Sequence, residues 1–178
     1  IVDAGADFTK TCVTNPSGLT IGTTTIAGQT YSWMPNTNLS SNTIANPIAN
    51  PSANTTYTLT ATKTATGCTA TDAVVVTVNT TVPSANAGAD FTKTCISNPS
   101  GATIGVAAVT GVAYSWSPTT DLSDATIANP NANPIATTEY TLTTTNNASG
   151  CSNTDKVMVT VDKSTITSDA GTDFTMTC

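Results

Sequence analysis

Residues 4–12, AGADFTKTC, return unchanged at 87–95, and a variant, AGTDFTMTC, occupies 170–178 at the end of the 178-residue chain. The offset is 83 residues each time, and between 3–79 and 86–162, 48 of 77 positions are identical without a gap. Self-similarity at a fixed period confines a chain to stacked or strung units, each contacting only its neighbours. The register divides the chain into a first unit over 1–80, a second over 81–163, and the first strand of a third over 164–178. The expectation is a segment of a longer tandem array.

Each unit reads as all-β. Thr supplies 42 residues and Val recurs in alternation, and both are β-branched and suit a pleated surface better than a helix. Val74, Val76 and Val78 alternate with Val75 and Thr77; Val157, Val159 and Val161 repeat the pattern. Tyr57, Leu59 and Ala61 share one strand face, with Thr58, Thr60 and Thr62 on the other. Tyr31 and Trp33 mark a strand stopped by Pro35, and Leu19 and Ile21 start one after Gly18. Asn15-Pro16-Ser17-Gly18 is a turn signal, and Pro47 and Pro51 forbid a central strand between them. No window carries a 3.6-residue apolar stripe. Short strands at this spacing predict a sandwich of about seven strands per unit. The expected core is Leu19, Ile21, Trp33, Leu39, Ile44, Tyr57, Leu59, Val74, Val76 and Val78. In the second unit it is Ala102, Ile104, Trp116, Leu122, Ile127, Tyr140, Leu142, Val157, Val159 and Val161. A core this small gives marginal stability by burial alone, so a covalent staple is expected to matter.

Charge excludes several functions. Five Lys, no Arg, no His and a net charge of −6 leave no basic surface for nucleic acid. Without His there is no imidazole base or His-ligated zinc. No apolar run approaches the roughly 20 residues of a membrane span, and no signal-peptide pattern opens the chain. Thr and Ser abound, yet no base is at hand to activate one, so no enzyme and no cofactor are expected.

The string Tyr31-Ser32-Trp33-Met34-Pro35, Asn38-Leu39-Ser40, Ala45-Asn46-Pro47, Thr55 to Thr60, Gly67-Cys68, Thr71-Asp72 and Val74 to Val78 resembles the immunoglobulin-like or PKD-like repeats of giant surface proteins exported by gliding bacteria of the Bacteroidota type. Among them are gliding adhesins and grappling-hook filament proteins. The resemblance covers both full units. It implies tandem immunoglobulin-like sandwiches in an extended rod, secretion to the cell surface, and a mechanical or adhesive role.

Cys12, Cys68, Cys95, Cys151 and Cys178 recur with the units, and no C-x-x-C suggests zinc or a redox motif. Structural disulfides in an oxidising compartment are expected, with all five oxidised inside a long array. The first pairing considered is Cys12–Cys68 with Cys95–Cys151, because both members recur inside each complete unit. Cys68–Cys95 with Cys151–Cys178, and Cys12–Cys151, are the alternatives. In a sandwich the end of the first strand and the last hairpin turn lie at opposite poles, which favours a bond across a junction.

Asp7 and Asp90 hold one place in both units, as Asp173 does in the third, and are the candidates for calcium at the junctions. Turn chemistry, with Asp bonding nearby backbone, is the better account, so no metal is expected. Lys10 and Lys93 could suggest Lys–Asn isopeptide crosslinks, but edge lysines that blunt strand pairing explain them better. Thr58 to Thr66 and Thr141 to Thr145 resemble ice-binding rows, although half-exposed strands alternate in the same way. Four matches to the glycosylation triplet arise by chance in so Asn- and Thr-rich a chain. Trp33 and Trp116 read as sandwich core rather than sugar platforms.

The leading functional expectation is a non-catalytic stalk or filament segment of a large secreted appendage or adhesin. Its partners would be neighbouring repeats, identical chains in a bundle and a cell-surface ligand, with no nucleic acid and no membrane span. A glycan- or protein-binding adhesin module is the alternative. Residues 23–27 and their counterparts 106–110 differ in a β-branched, apolar way, which reads as drift on a strand rather than a binding loop.

Overall fold

The computed structural model describes residues 1–164, 169, 171 and 176; the expected third-unit strand, with Asp173 and Cys178, lies outside them. The first sequence copy forms β1 (Phe8–Lys10), β2 (Leu19–Thr20), β3 (Gln29–Met34), β4 (Ile48–Ala49), β5 (Thr55–Lys63) and β6 (Thr69–Val78). The second repeats them as β7 (Phe91–Lys93), β8 (Ala102–Thr103), β9 (Val112–Ser117), β10 (Asn131–Ala132), β11 (Thr138–Asn146) and β12 (Ser152–Val161). No helix is present among the described residues.

Each copy builds two sheets. The larger has the order β1-β6-β5-β3, repeated as β7-β12-β11-β9; the smaller pairs β2 with β4, repeated as β8 with β10. β1 joins β6 in parallel, with Phe8 opposite Val76 and Lys10 opposite Val78. β5 is antiparallel to both β6 and β3, with Tyr57 opposite Val74 and Trp33 opposite Leu59. A first strand laid beside the last, a three-strand antiparallel sheet and a small second sheet define an immunoglobulin-like sandwich.

Six strands form per copy rather than about seven. Single bridges, Leu39 to Ala49 and Leu122 to Ala132, are all that remains of the further pairing. Pro47 and Pro51 bracket β4 and hold it to two residues, because neither can donate to a ladder. Residues 23–26 are irregular rather than a strand, so the divergence at 23–27 falls on a loop.

By contacts the chain forms two compact units. The first comprises Ile1–Ala85 with Val109–Ala113 and Thr143–Asn153; the second comprises Asn86–Ala108, Tyr114–Leu142 and Thr154–Cys178.

The cores are nearly identical. Ala4, Ile21, Trp33, Ala49, Tyr57, Leu59, Val74 and Val76 cluster in one, and Ala87, Ile104, Trp116, Ala132, Tyr140, Leu142, Val157 and Val159 in the other. The period-2 reading of β5 holds, since Tyr57, Leu59 and Ala61 are all buried. Three expected core members turn outward: Leu19, Ile44 and Ile127 are exposed. Alanines take the interior places, Ala45 and Ala49 in one copy and Ala128 and Ala132 in the other. The indole is the cause. A Cβ on Gly22 (φ +75°) would lie 2.9 Å from Trp33 Cζ2 and 2.0 Å from the Ala45 carbonyl oxygen, so backbone and small side chains must line that wall. The Ile44 carbonyl accepts from Trp33 Nε1 at 2.9 Å, and Ile127 does the same for Trp116 at 2.9 Å. Each indole thus satisfies its only donor inside the core.

Candidate functional site

The loop after β1 turns on Thr11. Its Oγ1 accepts the Thr14 amide at 2.8 Å and the Val13 amide at 3.2 Å, while its own amide donates to the Thr14 carbonyl at 2.8 Å. Asn15, at φ 49°, donates from Nδ2 to the Thr9 carbonyl at 3.1 Å. Asn tolerates this left-handed conformation better than most residues. Cys12 follows Thr11 in this loop.

The turn between β11 and β12 belongs to the same compact unit. Asn146 Oδ1 accepts the Ala148 amide at 2.9 Å and the Ser149 amide at 3.1 Å. Gly150 donates to the Asn146 carbonyl at 2.8 Å, and the Asn146 amide donates to the Cys151 carbonyl at 2.9 Å. This folds the turn so that Cys151 meets Cys12. The two form a disulfide with Cα atoms 5.1 Å apart, within the usual span for such a bond.

The bond is set in a small polar joint. The Cys12 amide donates to the Ser149 carbonyl at 3.2 Å, and Ser149 Oγ donates to the Thr81 carbonyl at 2.7 Å. Ser149 and Cys151 are buried. Gly150 has φ +66°, and a Cβ there would stand 2.6 Å from Val13 Cγ2. Only glycine lets the turn close over Val13.

This pairing corrects the first expectation for the cysteines. Cys12–Cys68 does not form. β1 is parallel to β6, so Cys12 lies beyond the Val78 end of β6, whereas Cys68 precedes Thr69 at its start. Ten residues of strand at about 3.3 Å each separate the two ends by roughly 30 Å, against the roughly 7 Å limit for Cα atoms in a disulfide. The same register in the second copy forbids Cys95–Cys151. Cys68 and Cys95 are free and exposed. The opposite-pole geometry was legible in sequence; equal recurrence within each copy was the weaker guide.

The other candidates occupy structural roles. Asp7 Oδ1 accepts the Val75 amide and Asp90 Oδ1 the Met158 amide, each at 2.8 Å. They pin β6 and β12 on the side where β1 and β7 join. Asp72 Oδ2 accepts the Ala4 amide at 2.8 Å, and Asp155 does the same for Ala87 at 2.8 Å. The Ala4 amide, and then that of Ala73, hold the Asp72 carboxyl below its ordinary value. Among the described residues no three acidic or Cys side chains gather as a metal site. Lys10 Nζ donates to Asn50 Oδ1 and, at 2.9 Å, to the Pro51 carbonyl; Lys93 makes the same pair of bonds to Asn133 and Pro134. These lysines tie the first strand to the loop after the small sheet, a role beyond that of a solvated edge residue. Tyr57 OH donates to the Thr37 carbonyl at 2.9 Å and Tyr140 OH to Thr120 at 3.0 Å, and burial raises both phenols above their usual value.

The strand order and the duplicated cores make this an all-β protein of immunoglobulin-like sandwiches. No protein-family model matches the chain, and no curated protein does. Among solved structures, PcdhgB3 EC1-4 is similar at 10% identity with a TM-score of 0.46, over 89% of this chain and 49% of that one. The titin domains I67-I69, as an E-to-A mutated variant, give 12% identity and 0.46 over 92% of this chain and 64% of theirs. A SusE-like surface located polysaccharide binding protein from the Bacteroides thetaiotaomicron heparin utilisation locus gives 10% and 0.38 over 90% of this chain and 34% of that one. The chain therefore spans under two thirds of each. The immunoglobulin-like assignment rests on strand order and register, not on these likenesses.

Proposed function

We propose that the chain is a structural, non-catalytic segment of a secreted cell-surface appendage or adhesin: a stalk built of 83-residue units, over 1–80, 81–163 and onward from 164. The observation that carries this reading is the disulfide between residue 12 of one sequence copy and residue 151 of the next. A binding module needs its own loops; a spacer needs its copies held in series, and this bond joins successive copies of the repeat. Disulfides persist in oxidising compartments, which supports an extracellular location. Loop conformation supports the same reading. Asn15 and Asn98 share φ near +50° (49° and 50°), and Asn38 and Asp121 share φ near +60° (60° and 62°), so the loops that hold them repeat between copies, although the 23–27 loop differs in sequence. The sequence holds no His, and among the described residues no three acidic or Cys side chains gather.

In this reading the units form an extended rod. Each is roughly 25–35 Å long from strands of up to ten residues at about 3.3 Å each. Small-angle scattering on the oxidised chain is the test. A maximum dimension near twice one unit supports the stalk; one close to a single sandwich removes it.

A further inference from the structure

Among the described residues the joint at Cys12 and Cys151 exists once, but both of its halves exist twice. The socket half is the loop after the first strand. Around Cys95 it is already folded as it is around Cys12. The Thr94 amide donates to the Ser97 carbonyl at 2.8 Å, Thr94 Oγ1 accepts the Ser97 amide at 2.7 Å and the Ile96 amide at 3.1 Å, and Asn98 Nδ2 reaches the Thr92 carbonyl at 3.1 Å. Nothing covers it. Ile96 is 91% and Ile135 70% exposed, and Cys95, Pro99, Pro134 and Ile135 line an open depression of about 240 Å³. Thr11, in the occupied socket, is buried, whereas Thr94 is only half-buried.

The plug half is the last hairpin turn. Around Cys68 it too is already folded. Gly67 donates to the Lys63 carbonyl at 2.8 Å, the Lys63 amide donates to the Cys68 carbonyl at 2.9 Å, and Gly67 has φ +71° against +66° at Gly150. A Cβ on Gly67 would meet nothing within 4 Å, where one on Gly150 strikes Val13. Thr66 and Cys68 are exposed, where their counterparts Ser149 and Cys151 are buried. Among the described residues one socket and one plug are thus unjoined, each held by the same backbone hydrogen bonds as its joined counterpart.

We propose that these two halves recognise each other between copies of the chain, giving a directional Cys95–Cys68 disulfide. The occupant of the Cys95 socket is the Cys68 turn of a second copy. By equivalence with the formed joint, the Cys95 amide donates to the incoming Thr66 carbonyl. The incoming Thr66 hydroxyl donates to the Ser164 carbonyl, and Gly67 closes over Ile96. Two thiols become one disulfide by losing two electrons and two protons, and a small-molecule disulfide supplies the oxidation. Cys95 thiolate opens oxidised glutathione to a mixed disulfide, releasing one glutathione thiolate. The incoming Cys68 thiolate attacks the Cys95 sulfur and releases the second. The products are one protein disulfide and two reduced glutathiones. In a longer array the same pairing would run from each unit to the next, so the inference holds whether the array serves as stalk or binder.

The test uses two variants of the full chain, each also carrying Cys178→Ser so that no third cysteine competes. C68S leaves only the socket thiol free, and C95S leaves only the plug thiol. Each is incubated with oxidised and reduced glutathione, alone and mixed, then resolved without reductant and mapped by mass spectrometry. The mixture is expected to give a Cys95–Cys68 heterodimer in at least about tenfold excess over either symmetric dimer, a preference of only about 1.4 kcal/mol. Adding Gly67→Val to the C95S chain is expected to remove the excess, because a branched side chain cannot close over Ile96. Circular dichroism of that variant shows whether the sandwich remains folded, and glutathionylation of Cys68 shows whether the thiol remains reactive. Symmetric dimers in equal yield, or glutathionylated monomers alone, overturn the proposal.

Discussion

Replacing Cys12 by Ser isolates what the Cys12–Cys151 disulfide contributes. The bond closes a loop with a sequence separation of 139. Restricting an unfolded chain by a loop of that length removes entropy of 2.1 + 1.5R ln n cal/mol/K, or about 5 kcal/mol at 25 °C. For a chain of this size each kcal/mol moves the melting temperature by about 2–4 °C, so C12S should melt about 10–20 °C lower. Cys12 is the partner to change, because it is exposed and its serine hydroxyl reaches water, whereas a serine at the buried Cys151 adds a desolvation cost. Differential scanning calorimetry of the oxidised chain, C12S and the oxidised chain with reductant makes the comparison. C68S and C95S serve as controls; both thiols are free and exposed, so each should stay within about 0.5 kcal/mol of the parent. If C12S melts together with C68S, the cross-link is not the staple inferred from its loop length.

Other consequences are separately checkable. Alkylation without reductant should label Cys68 and Cys95 and spare Cys12 and Cys151; a labelled Cys151 contradicts the pairing. Trp33→Ala removes a fully buried indole and should cost about 3–5 kcal/mol, measured by urea unfolding. Gly22→Ala should cost more than Gly111→Ala, although φ is +75° and +80°, because only at Gly22 does the new Cβ meet backbone, the Ala45 carbonyl oxygen at 2.0 Å; equal losses would refute the packing argument. The Asp72 carboxyl is held below its ordinary 3.8 in the folded state by the Ala4 amide and then the Ala73 amide. Its contribution is therefore complete above that value and lost as pH falls through the lower folded pKa. Asp72→Asn should flatten the acid limb of the stability curve, and an unchanged limb counts against the role.

What sequence revealed and what it hid follow from different physics. The long strands β5 and β6 were legible because alternation of Tyr57, Leu59 and Ala61 with threonines can bury only one face. The small sheet was not. β2 and β4 are two residues each, too short for alternation to set which side chains point inward. There Ile21 kept its expected place, but the large residues Leu19 and Ile44 turned outward and Ala45 and Ala49 took the interior beside Trp33. The joint was half legible. Recurrence marked the cysteines and sandwich geometry set Cys12 and Cys68 at opposite poles, but only the observed register of β1 with β6 decided which could meet. Lys10 and Asn50 are 40 residues apart in sequence, so their bond could not be seen from either neighbourhood.

If the chain serves as the proposed stalk it must transmit tension, and the position of the disulfide determines which residues feel it. Pull on the two ends of the oxidised chain, and the force passes from residue 1 to Cys12, across the bond to Cys151, and on to residue 178. Only the first 12 residues and the last 28 lie on that path, about 40 in all, and residues 13–150 are bypassed. At no more than about 3.6 Å per residue, forced unfolding can extend the oxidised chain to about 140 Å, against about 640 Å for the reduced chain. Strands β2 to β11 lie within the bypassed residues, and the bond limits extension without needing a large core to resist it. Single-molecule stretching between handles at the two termini reads this directly. Short extensions that lengthen severalfold on adding reductant, and long ones in C12S from the start, are the expected result. An oxidised chain that already extends to several hundred ångströms would show that the bond does not lie on the path of force, and the mechanical reading would go with it.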